Sequence, residues 1–507
     1  MPAFSLDPVQ TAWCAELRAM AAERLRPLAE KGEPGHVNRP LVAELGQLGL
    51  LRRLFTAGAL DLCLMRESLA YACTEAETAL ALQGLGAHPV HAYGTPAQRE
   101  RWLTPVSEGR AVAAFALSEP GAGSDAAALA LRAERDGAPD GGAGVSALGD
   151  GVRRAGASAG ETRARPLGEG LPAGGSGGES GSDVVAGGRW VDSAGAGTHR
   201  DTPAAEARAD ACRGEALGKV PEGGPRVDVP GAWPPPDAPG VEAALGAEPE
   251  GGALGAESDG CSRWRLTGEK CWISNAPEAD FYTVFARTTP GAGARGVTAF
   301  LVPADRPGLT GTALDMLSPH PIGALAFDAV PVTADDVLGE PDRGFRVAMG
   351  TLNLFRPSVG AFAVGMAQAA LDATLAHTAQ RDAFGGKLKD LQTVAHRVAE
   401  LALRTDAARL MVYAAATAYD EDAPDVPKRA AMAKLLATET AQYVVDAAVQ
   451  LHGARALQRG HLLEHLYREV RAPRIYEGAS EVQRGIIAKE LYKESCKEPA
   501  VETEALR

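Results

Sequence analysis

A Gly- and Ala-rich segment, residues 138–261, limits how this chain can fold more than any other feature. The segment has few large apolar side chains and no sustained hydrophobic periodicity, so it cannot bury enough surface to offset the entropy cost of ordering its backbone. We expect a disordered insertion there, and either a genuine insertion or a gene-model artefact would give this composition. Its removal would leave roughly 383 residues and join ALRAERDG to SRWRLTGEK, which predicts a β-hairpin.

The rest of the chain changes its hydrophobic pattern twice. Residues 1–112 carry apolar side chains at the three- and four-residue spacing of helices, as in LVAELGQLGLL. Residues 113–338 contain short runs such as WRLTGEKCWIS and VTAFLVPA, bounded by Gly, Pro, Asn and Asp, which are typical of strands. Helical spacing returns over residues 339–495, before a polar tail at 496–507. The pattern predicts three domains in the order helical, β and helical.

Charge and composition argue against several classes of function. A formal net charge of −14 argues against nucleic acid as the main partner, since phosphate neutralisation needs clustered Lys and Arg. The seven cysteines are scattered without a CxxC pair, which argues against a disulfide framework and a cysteine-based zinc site. No run of 18 or more apolar residues occurs, so we expect no membrane span. The first residues lack the layout of a signal or transit peptide, so we expect a cytoplasmic protein.

Five motifs follow one another along the chain. FALSEPGAGSD (115–125), LTGEKCWISNA (266–276), RDAFGGKLKDLQ (381–392), QLHGARAL (450–457) and RIYEGASEVQRGIIAKEL (474–491) resemble, in order and spacing, the acyl-CoA dehydrogenase family. The resemblance covers nearly the whole chain outside 138–261. It implies an α+β multidomain fold, with an N-terminal all-α domain, a central β-barrel or sandwich domain and a C-terminal four-helix bundle. It also implies FAD as cofactor and a homotetramer or homodimer with FAD near subunit borders.

The resemblance assigns the catalytic base to Glu477. In such enzymes the base removes the α-proton of an acyl-CoA thioester while hydride passes from the β carbon to flavin N5, giving a trans-2-enoyl-CoA. The family implies that the backbone N–H of Glu477 and a flavin ribityl hydroxyl polarise the thioester carbonyl. Gly478 would let the backbone approach the substrate without a Cβ. We expect burial beside the acyl chain to raise the pKa of Glu477 and make it a stronger base.

Some related enzymes carry the base elsewhere, immediately before an arginine of a C-terminal-domain helix. The matching stretch here is TLNLFRPSVG, where Phe355 precedes Arg356. Phenylalanine cannot accept a proton, so Glu477 remains as the candidate base. Two interpretations of Phe355 are open: it reshapes the acyl pocket, or it packs in the core.

The resemblance also implies the remaining contacts with cofactor and substrate. Trp272 would pack on the isoalloxazine, Ser274 would bond N5, and Ser118 would reach the flavin pyrimidine edge. In the QLHGARAL motif the family's paired glycines are replaced after Gly453, and Ala479 stands where many relatives have threonine, so both positions could weaken FAD binding. The implied cofactor residues are Phe115, Leu117, Ser118, Gly123, Ser124, Trp272, Ile273, Ser274, Arg381, Phe384, Gln392, Gln450, Gly453, Ala479 and Glu481, with Arg381, Phe384 and Gln392 reaching the FAD of a neighbouring subunit. The implied substrate residues are Ser124, Phe355, Arg356, Tyr476 and Gly478.

Alternative functions remain at this point. The chain could act on an acyl group bound to a carrier protein, reoxidise its flavin with oxygen as an oxidase or monooxygenase, or serve as a non-catalytic scaffold. Retention of Glu477 favours dehydrogenation, with an electron-transferring flavoprotein as acceptor. HLLEH (461–465) matches a zinc-protease pattern and GASAG (156–160) a nucleophile elbow, but neither has the required context. We expect no metal.

Overall fold

Helices form the first part of the chain in the computed structural model, which describes residues 6–136 and 263–496. Asp7 and Thr95 each close a capping box at a helix start, and proline occupies the first helical position after both. The predicted insertion, 138–261, and most of the predicted tail lie outside the described residues. The N-terminal helices are α1 (Pro8–Met20), α2 (Arg26–Ala29), α3 (Arg39–Gln47), α4 (Leu50–Arg53), α5 (Ala59–Ala72), α6 (Thr74–Tyr93) and α7 (Pro96–Ser107), with a π-helical turn (Ala21–Leu25) between α1 and α2.

An eight-stranded mixed sheet follows. Its order is β6-β7-β3-β2-β4-β5-β8, and β1 pairs in parallel with β4. The central strands β4 and β5 are apolar on both faces, which is typical of strands covered on both sides. The strands are β1 (Ala113–Ala116), β2 (Arg132–Arg135), β3 (Arg263–Ser274), β4 (Phe281–Arg287), β5 (Val297–Pro303), β6 (Leu309–Ala313), β7 (Ile322–Thr333) and β8 (Val337–Leu338).

The helical domain packs directly on one face of this sheet. Phe281 and Phe285 of β4 point toward α6 and α7, and the Phe281 ring lies 4.6 Å from that of Trp102. Thr283 donates a 2.9 Å hydrogen bond to the carbonyl of Gly86. A Cβ on Gly86 would lie 2.6 Å from the backbone nitrogen of Ala114, so this glycine allows α6 to approach β1 closely. The contact fixes α6 beside the start of the FALSEPGAGSD motif.

Strands β2 and β3 form the hairpin that the sequence predicts. They pair antiparallel, with Arg135 opposite Trp264, and the Asp136 N–H donates to the Arg263 carbonyl at 3.0 Å. The described residues that flank the predicted insertion are therefore hydrogen-bonded neighbours.

This pairing makes the removal of 138–261 a precise test. The deletion would leave Gly137 and Ser262 as a two-residue hairpin loop, and glycine at its first position suits a type II′ turn. We expect the shortened protein to keep its flavin content and its catalytic rate. Its free energy of unfolding should stay within about 1 kcal/mol of that of the full-length protein. The matched control is a deletion of equal length that replaces the Gly-Ser loop by Pro-Pro, which should impair folding. Loss of folding in the Gly-Ser version would show that the segment contributes to the core.

A helical bundle completes the fold. Small side chains on its central helix permit close packing: a Cβ on Gly360 would lie 2.7 Å from Val412, and the bundle core is rich in alanine. The helices are α8 (Gly344–Gln380), α9 (Gln392–Asp420), α10 (Val426–His452), α11 (Leu462–Glu469) and α12 (Ser480–Ser495), and a hairpin of β9 (Asp382–Ala383) and β10 (Gly386–Lys387) joins α8 to α9. The predicted fold class, with helical, β and helical domains in that order, is confirmed.

One helix, α8, is long and apolar enough to cross a membrane by length and composition alone. Within the described residues 72% of its most apolar window is buried, because α8 packs against α5, α9 and α10. The core helix of a bundle has these same properties, so α8 is weak support for a membrane span.

Candidate active site

The RIYEGAS segment forms a strained turn before α12. Glu477 has φ +51° and Gly478 has φ +95°, both in the left-handed region. This region is costly for a side-chain-bearing residue such as Glu477, and such strain often accompanies function. At Gly478 a Cβ would also collide with the Gln483 amide. The positive φ thus favours glycine at this position, and the Gln483 amide would have to move to admit a side chain.

Three side chains bind the carbonyls of this turn, and two of them come from distant parts of the chain. Arg356 of α8 donates its Nε to the Glu477 carbonyl at 3.2 Å. Lys434 of α10 donates to the Gly478 carbonyl at 2.7 Å, and Gln483 donates to the same oxygen at 2.9 Å. Two of these donors are charged, and Lys434 is fully buried. The backbone beside Glu477 is therefore fixed before any ligand binds.

The carboxyl group of Glu477 has a free acceptor. The residue is half-buried, and its Oε2 atom is buried without a hydrogen-bond partner among the described residues. Burial raises the pKa of Glu477, while the positive charges of Arg66, Lys434 and Arg356 oppose that rise. The direction agrees with the expectation from the sequence. A carboxylate with a raised pKa and an unused oxygen is suited to accept a proton.

The FALSEPGAGSD and LTGEKCWISNA motifs lie side by side. The Cys271 N–H donates to the Ser118 carbonyl at 3.0 Å, and the fully buried Lys270 donates to the Leu117 carbonyl at 2.9 Å. Lys270 also pairs with Glu119 at 2.8 Å. The second Glu119 oxygen accepts the Ala130 N–H at 2.6 Å. This buried ion pair joins the two loops into one unit.

Trp272 and Ser274 lie at the end of β3, next to the first motif. The Trp272 side chain is 48% exposed, and its φ of +58° interrupts the regular register of the strand. Ser274 and Ser118 are partly exposed, whereas the side chains of Ile273 and Leu117 are buried in the protein. Contacts of the last two residues with a ligand would therefore use the backbone. The site thus offers an open aromatic face and two accessible hydroxyl groups.

Gly123 and Ser124 lie in the exposed part of the FALSEPGAGSD loop. A Cβ on Gly123 would meet no atom within 4 Å. Phe115, in contrast, is partly buried, with its ring 4.9 Å from that of Phe285. The loop is consequently open to a ligand at its tip and anchored by an aromatic pair at its base.

A second group of predicted cofactor residues lies at the far end of the bundle. The rings of His377 and His452 stack at 4.2 Å, which brings together the ends of α8 and α10. His452 is separated from Lys434 by about 27 Å along α10, at 1.5 Å per residue. The side chain of Phe384 at this end is 91% exposed, and the residue has φ +53°. The predicted residues in this group are Arg381, Phe384, Gln392, Gln450 and Gly453, all exposed.

The remaining predicted residues surround the turn. Arg356 is buried, and Tyr476 is 36% exposed. Ala479 is the N-cap of α12, with a partly exposed side chain, and Glu481 is exposed in the first turn of that helix. The structure therefore brings Arg356, Tyr476, Gly478 and Ala479 together around Glu477.

Phe355 fills the space between α6 and α8. Its side chain is 2% exposed. A Cβ on Gly84 would lie 2.8 Å from the tip of the Phe355 ring, and the His88 ring meets it edge-on at 6.1 Å. Phe355 therefore packs between α6 and α8, one residue before Arg356, which binds the turn of Glu477.

A cavity of about 440 Å³ lies near these elements. It is bounded by Thr78 and Leu82 of α6, by Asn275 next to Ser274, and by His320 and His465. His465 accepts or donates a 2.6 Å bond with Thr74, and His461 caps α11. The two histidines of the HLLEH motif therefore have structural roles.

Sequence reasoning missed several residues that shape this site. Lys434 and Arg66 lie far in sequence from every motif. The one signal for Lys434 would have been its position as a charged residue in an alanine-rich helix that is expected to be buried. Glu119 and Lys270 lie inside two of the quoted motifs, but their pairing depends on the contact between the loops.

Three domain models of one known family match most of the chain. The N-terminal, middle and C-terminal domain models of acyl-CoA dehydrogenases match residues 7–110, 242–330 and 342–492. The chain therefore belongs to the acyl-CoA dehydrogenase family.

Individual relatives show the extent of the likeness. "Probable acyl-CoA dehydrogenase FadE25" of Mycobacterium tuberculosis is 38% identical over 222 residues, which are 43% of this chain and 57% of the relative. The match thus spans little more than half the length of such curated relatives. The solved structure of butyryl-CoA dehydrogenase from Megasphaera elsdenii is similar in fold, with TM-score 0.68, 24% identity, and coverage of 96% of this chain and 99% of the other. An FAD complex of PigA gives TM-score 0.67 at 20% identity, with coverage of 96% and 99%.

Proposed function

We propose that this protein catalyses the FAD-dependent α,β-dehydrogenation of an acyl-CoA thioester to a trans-2-enoyl-CoA. The observation that carries the proposal is the Glu477 carboxyl, of which one buried oxygen has no hydrogen-bond partner in the part of the chain that the structure describes. It lies on a turn fixed by Arg356, Lys434 and Gln483. Family membership supports the reaction class. The half-exposed Trp272 beside Ser274 supports a planar ligand next to that loop.

The residues present suit FAD. An exposed indole face with nearby hydroxyl groups can hold a flavin ring, and the open glycine loop leaves space for its polar edge. In this proposal Trp272 would pack on the flavin, Ser274 would bond N5, and Ser118 with the backbone amides of its loop would bind the pyrimidine edge. Ser124 would reach the pantetheine-phosphate region of the substrate. When bound, FAD supplies the acceptor for the hydride that leaves the substrate β carbon.

The chain itself handles the proton. The Glu477 carboxylate takes the α-proton as the Cα–H bond breaks. The electron pair of that bond forms the new double bond between Cα and Cβ as the hydride departs from Cβ. The backbone N–H of Glu477 would donate to the thioester carbonyl and stabilise its developing charge. Lys434 and Arg356 hold the turn by its carbonyls, so the carboxylate keeps its position as its charge disappears.

Assembly, location and electron acceptor are further parts of the proposal. Leu403 and Leu410 lie on one face of α9, two helical turns apart, and both side chains are exposed. Leu436 of α10 is also exposed. Exposed apolar residues on bundle helices are typical of subunit contacts. This supports a homotetramer or homodimer, in which Phe384 and Arg381 would reach a neighbouring subunit's FAD. We propose a cytoplasmic location and an electron-transferring flavoprotein as acceptor.

A visible spectrum of the purified protein tests the function. We expect bound flavin that is bleached anaerobically by an acyl-CoA. A colourless protein would support the scaffold interpretation, and rapid peroxide formation in air would support an oxidase. Bleaching by a carrier-protein thioester but by no acyl-CoA would move the substrate to the carrier-linked class.

The preference for the length of the acyl chain should depend on Phe355. We expect wild-type flavin to be bleached fastest by short acyl-CoAs, because the Phe355 ring closes the space between α6 and α8. Phe355→Ala should open that space and improve kcat/KM for longer acyl-CoAs by about tenfold or more relative to short ones, since each buried CH₂ contributes about 0.8 kcal/mol. The matched control is Phe362→Ala, seven residues further along α8 in the bundle core. An unchanged preference in Phe355→Ala would assign this ring to core packing alone.

A further inference from the structure

Three histidines meet at one end of the bundle, where α8 and α10 end and α11 begins. The rings of His377 and His452 stack with centroids 4.2 Å apart, and the His461 ring meets that of His452 edge-on at 5.7 Å. His377 lies in the last turn of α8, His452 is the last residue of α10, and His461 is the N-cap of α11. All three side chains are partly buried. These residues form a histidine cluster that has no part in the chemistry assigned to Glu477.

Local hydrogen bonds determine which ring nitrogens of the histidine cluster are free. The Nδ1 atom of His452 lies 2.8 Å from the Ala448 carbonyl, so it carries a proton and donates. The Nδ1 atom of His461 accepts the Leu463 N–H at 3.1 Å, so the proton of this neutral ring is on Nε2. The ring of His377 makes no hydrogen bond among the described residues. The cluster therefore has an N–H donor on His461 and open protonation sites on His377 and His452.

Two arginines lie next to the histidine cluster in the chain. The Arg381 N–H donates to the His377 carbonyl at 2.9 Å. Arg455 follows His452 in the 3₁₀ segment Gly453–Leu457. Both arginine side chains are exposed, so their guanidinium groups are accessible at the same end of the bundle.

No acidic side chain offsets this positive charge. Asp382, next to Arg381 in the chain, pairs with Lys387 at 2.7 Å. Glu464, in the first turn of α11, pairs with Arg468 at 2.9 Å. Within residues 6–136 and 263–496, neither the cluster nor its two arginines form an ion pair with a carboxylate. An anion from outside the chain would supply the missing charge.

The charge of the histidine cluster depends on pH and on what binds there. Partial burial lowers the pKa of His377 and of His452, and the positive charge of the neighbouring residues lowers both further. Both rings are therefore neutral at neutral pH. A bound anion has the opposite effect, because a nearby negative charge favours the protonated imidazole. Binding of an anion would then take up protons, and its affinity would rise as pH falls.

We propose that the histidine cluster, together with Arg381 and Arg455, binds a phosphate-containing anion and takes up protons as it does so. Phosphate oxygens are acceptors for the imidazole N–H groups and match the fork of a guanidinium. Under the proposed function this anion is the diphosphate of an FAD bound to a neighbouring subunit, because Gln450 and Gly453 of the predicted FAD group lie at the same end of α10. A free phosphate compound is the other source of this chemistry. The inference rests on the proposed function only for the choice between these two sources.

The first measurement is the pH dependence of FAD binding in the flavin-containing protein. Flavin fluorescence released on dilution gives the dissociation constant of FAD between about pH 8 and about pH 6. We expect FAD to bind up to about tenfold more tightly per unit of falling pH for each imidazole that is protonated on binding. His452→Gln should reduce this slope, because glutamine can still donate to the Ala448 carbonyl but cannot take up a proton.

The second measurement separates FAD from a free anion. Inorganic pyrophosphate is added to the flavin-containing protein, and the thermal unfolding midpoint is followed over the same pH range. Pyrophosphate that has no effect, together with pH-dependent FAD binding that His452→Gln flattens, would assign the cluster to the FAD diphosphate. A midpoint that pyrophosphate raises more at low pH, in wild type but not in His452→Gln, would assign the cluster to a free phosphate compound.

The matched control is His36→Gln, which changes an exposed histidine bonded to Glu278 at 2.6 Å, far in sequence from the cluster. It should keep the wild-type pH dependence in both measurements. If His452→Gln does not fold, His377→Gln removes the other stacked ring. The same pH dependence in wild type and in the cluster variant, with or without a loss of stability, would overturn the inference. A protein that binds no flavin but is stabilised by pyrophosphate through His452 would keep the anion site and refute the proposed function.

Discussion

Glu477→Gln is expected to retain bound FAD and to lower the rate of anaerobic flavin reduction by an acyl-CoA by about three orders of magnitude. Glutamine keeps the size of the side chain but cannot take the α-proton. The turn should persist, because Arg356, Lys434 and Gln483 bind its backbone carbonyls and do not depend on the carboxylate. Stopped-flow absorbance of the flavin measures the rate, and the flavin-to-protein ratio measures retention.

The matched control for this variant is Glu16→Gln, which changes an exposed carboxylate on α1. It should reduce flavin at the wild-type rate. Near-normal reduction in Glu477→Gln would show that another group removes the proton. Among the described residues the family's alternative position for the base is occupied by Phe355, so the base would then come from neither of these two positions.

The second large effect concerns stability. Glu119→Ala is expected to lower the free energy of unfolding by about 3–5 kcal/mol, because it leaves the fully buried Lys270 without its partner. It also removes the acceptor for the backbone N–H groups of Ala130 and Leu131. Since the same pair joins the two loops that carry Ser118 and Trp272, the variant should lose flavin as well. Urea denaturation and the flavin-to-protein ratio measure the two losses.

The pH dependence of this deficit has a definite sign. Burial lowers the pKa of Lys270 to about 8 even with Glu119 present. Without Glu119 the pKa in the folded state should fall further, so Lys270 in the variant is neutral at a pH where wild-type Lys270 is still charged. Unfolding then takes up a proton in the variant only, and its stability rises with pH relative to wild type. The difference in the free energy of unfolding between wild type and Glu119→Ala should therefore become smaller as pH rises toward 8 and then stay constant.

An exposed ion pair close in sequence provides the control. Glu108 pairs with Arg110 on the surface, and Glu108→Ala should cost less than about 1 kcal/mol. If Glu119→Ala costs no more than Glu108→Ala, the buried pair does not hold the two loops together, and the flavin site must be fixed by other contacts.

The sequence was sufficient for the fold because its signals are local, and the same local motifs carry the prediction of Glu477 as the base. Strand alternation and helical spacing follow from neighbouring residues, and the pairing of β2 with β3 followed once 138–261 was set aside. Glu477 and Trp272 lie within motifs that carry their own context. These features needed no knowledge of which distant residues meet.

The electrostatic environment of the base could not be predicted in the same way. Arg66, Arg356 and Lys434 come from α5, α8 and α10, and their effect on Glu477 depends on how three helices pack. The left-handed backbone of Gly478 next to the Gln483 amide was likewise not predicted, and the approach of Gly478 to substrate stays a prediction.

A crystal structure of the flavin-loaded protein with a non-oxidisable acyl-CoA analogue tests the central claim most directly. The distance between the Glu477 carboxylate and the acyl α carbon is the quantity to measure. The account predicts a separation of about 3–3.5 Å, with the flavin on the opposite side of the acyl group and next to Trp272 and Ser274. A carboxylate turned to solvent, or an acyl group bound away from Glu477, would contradict it.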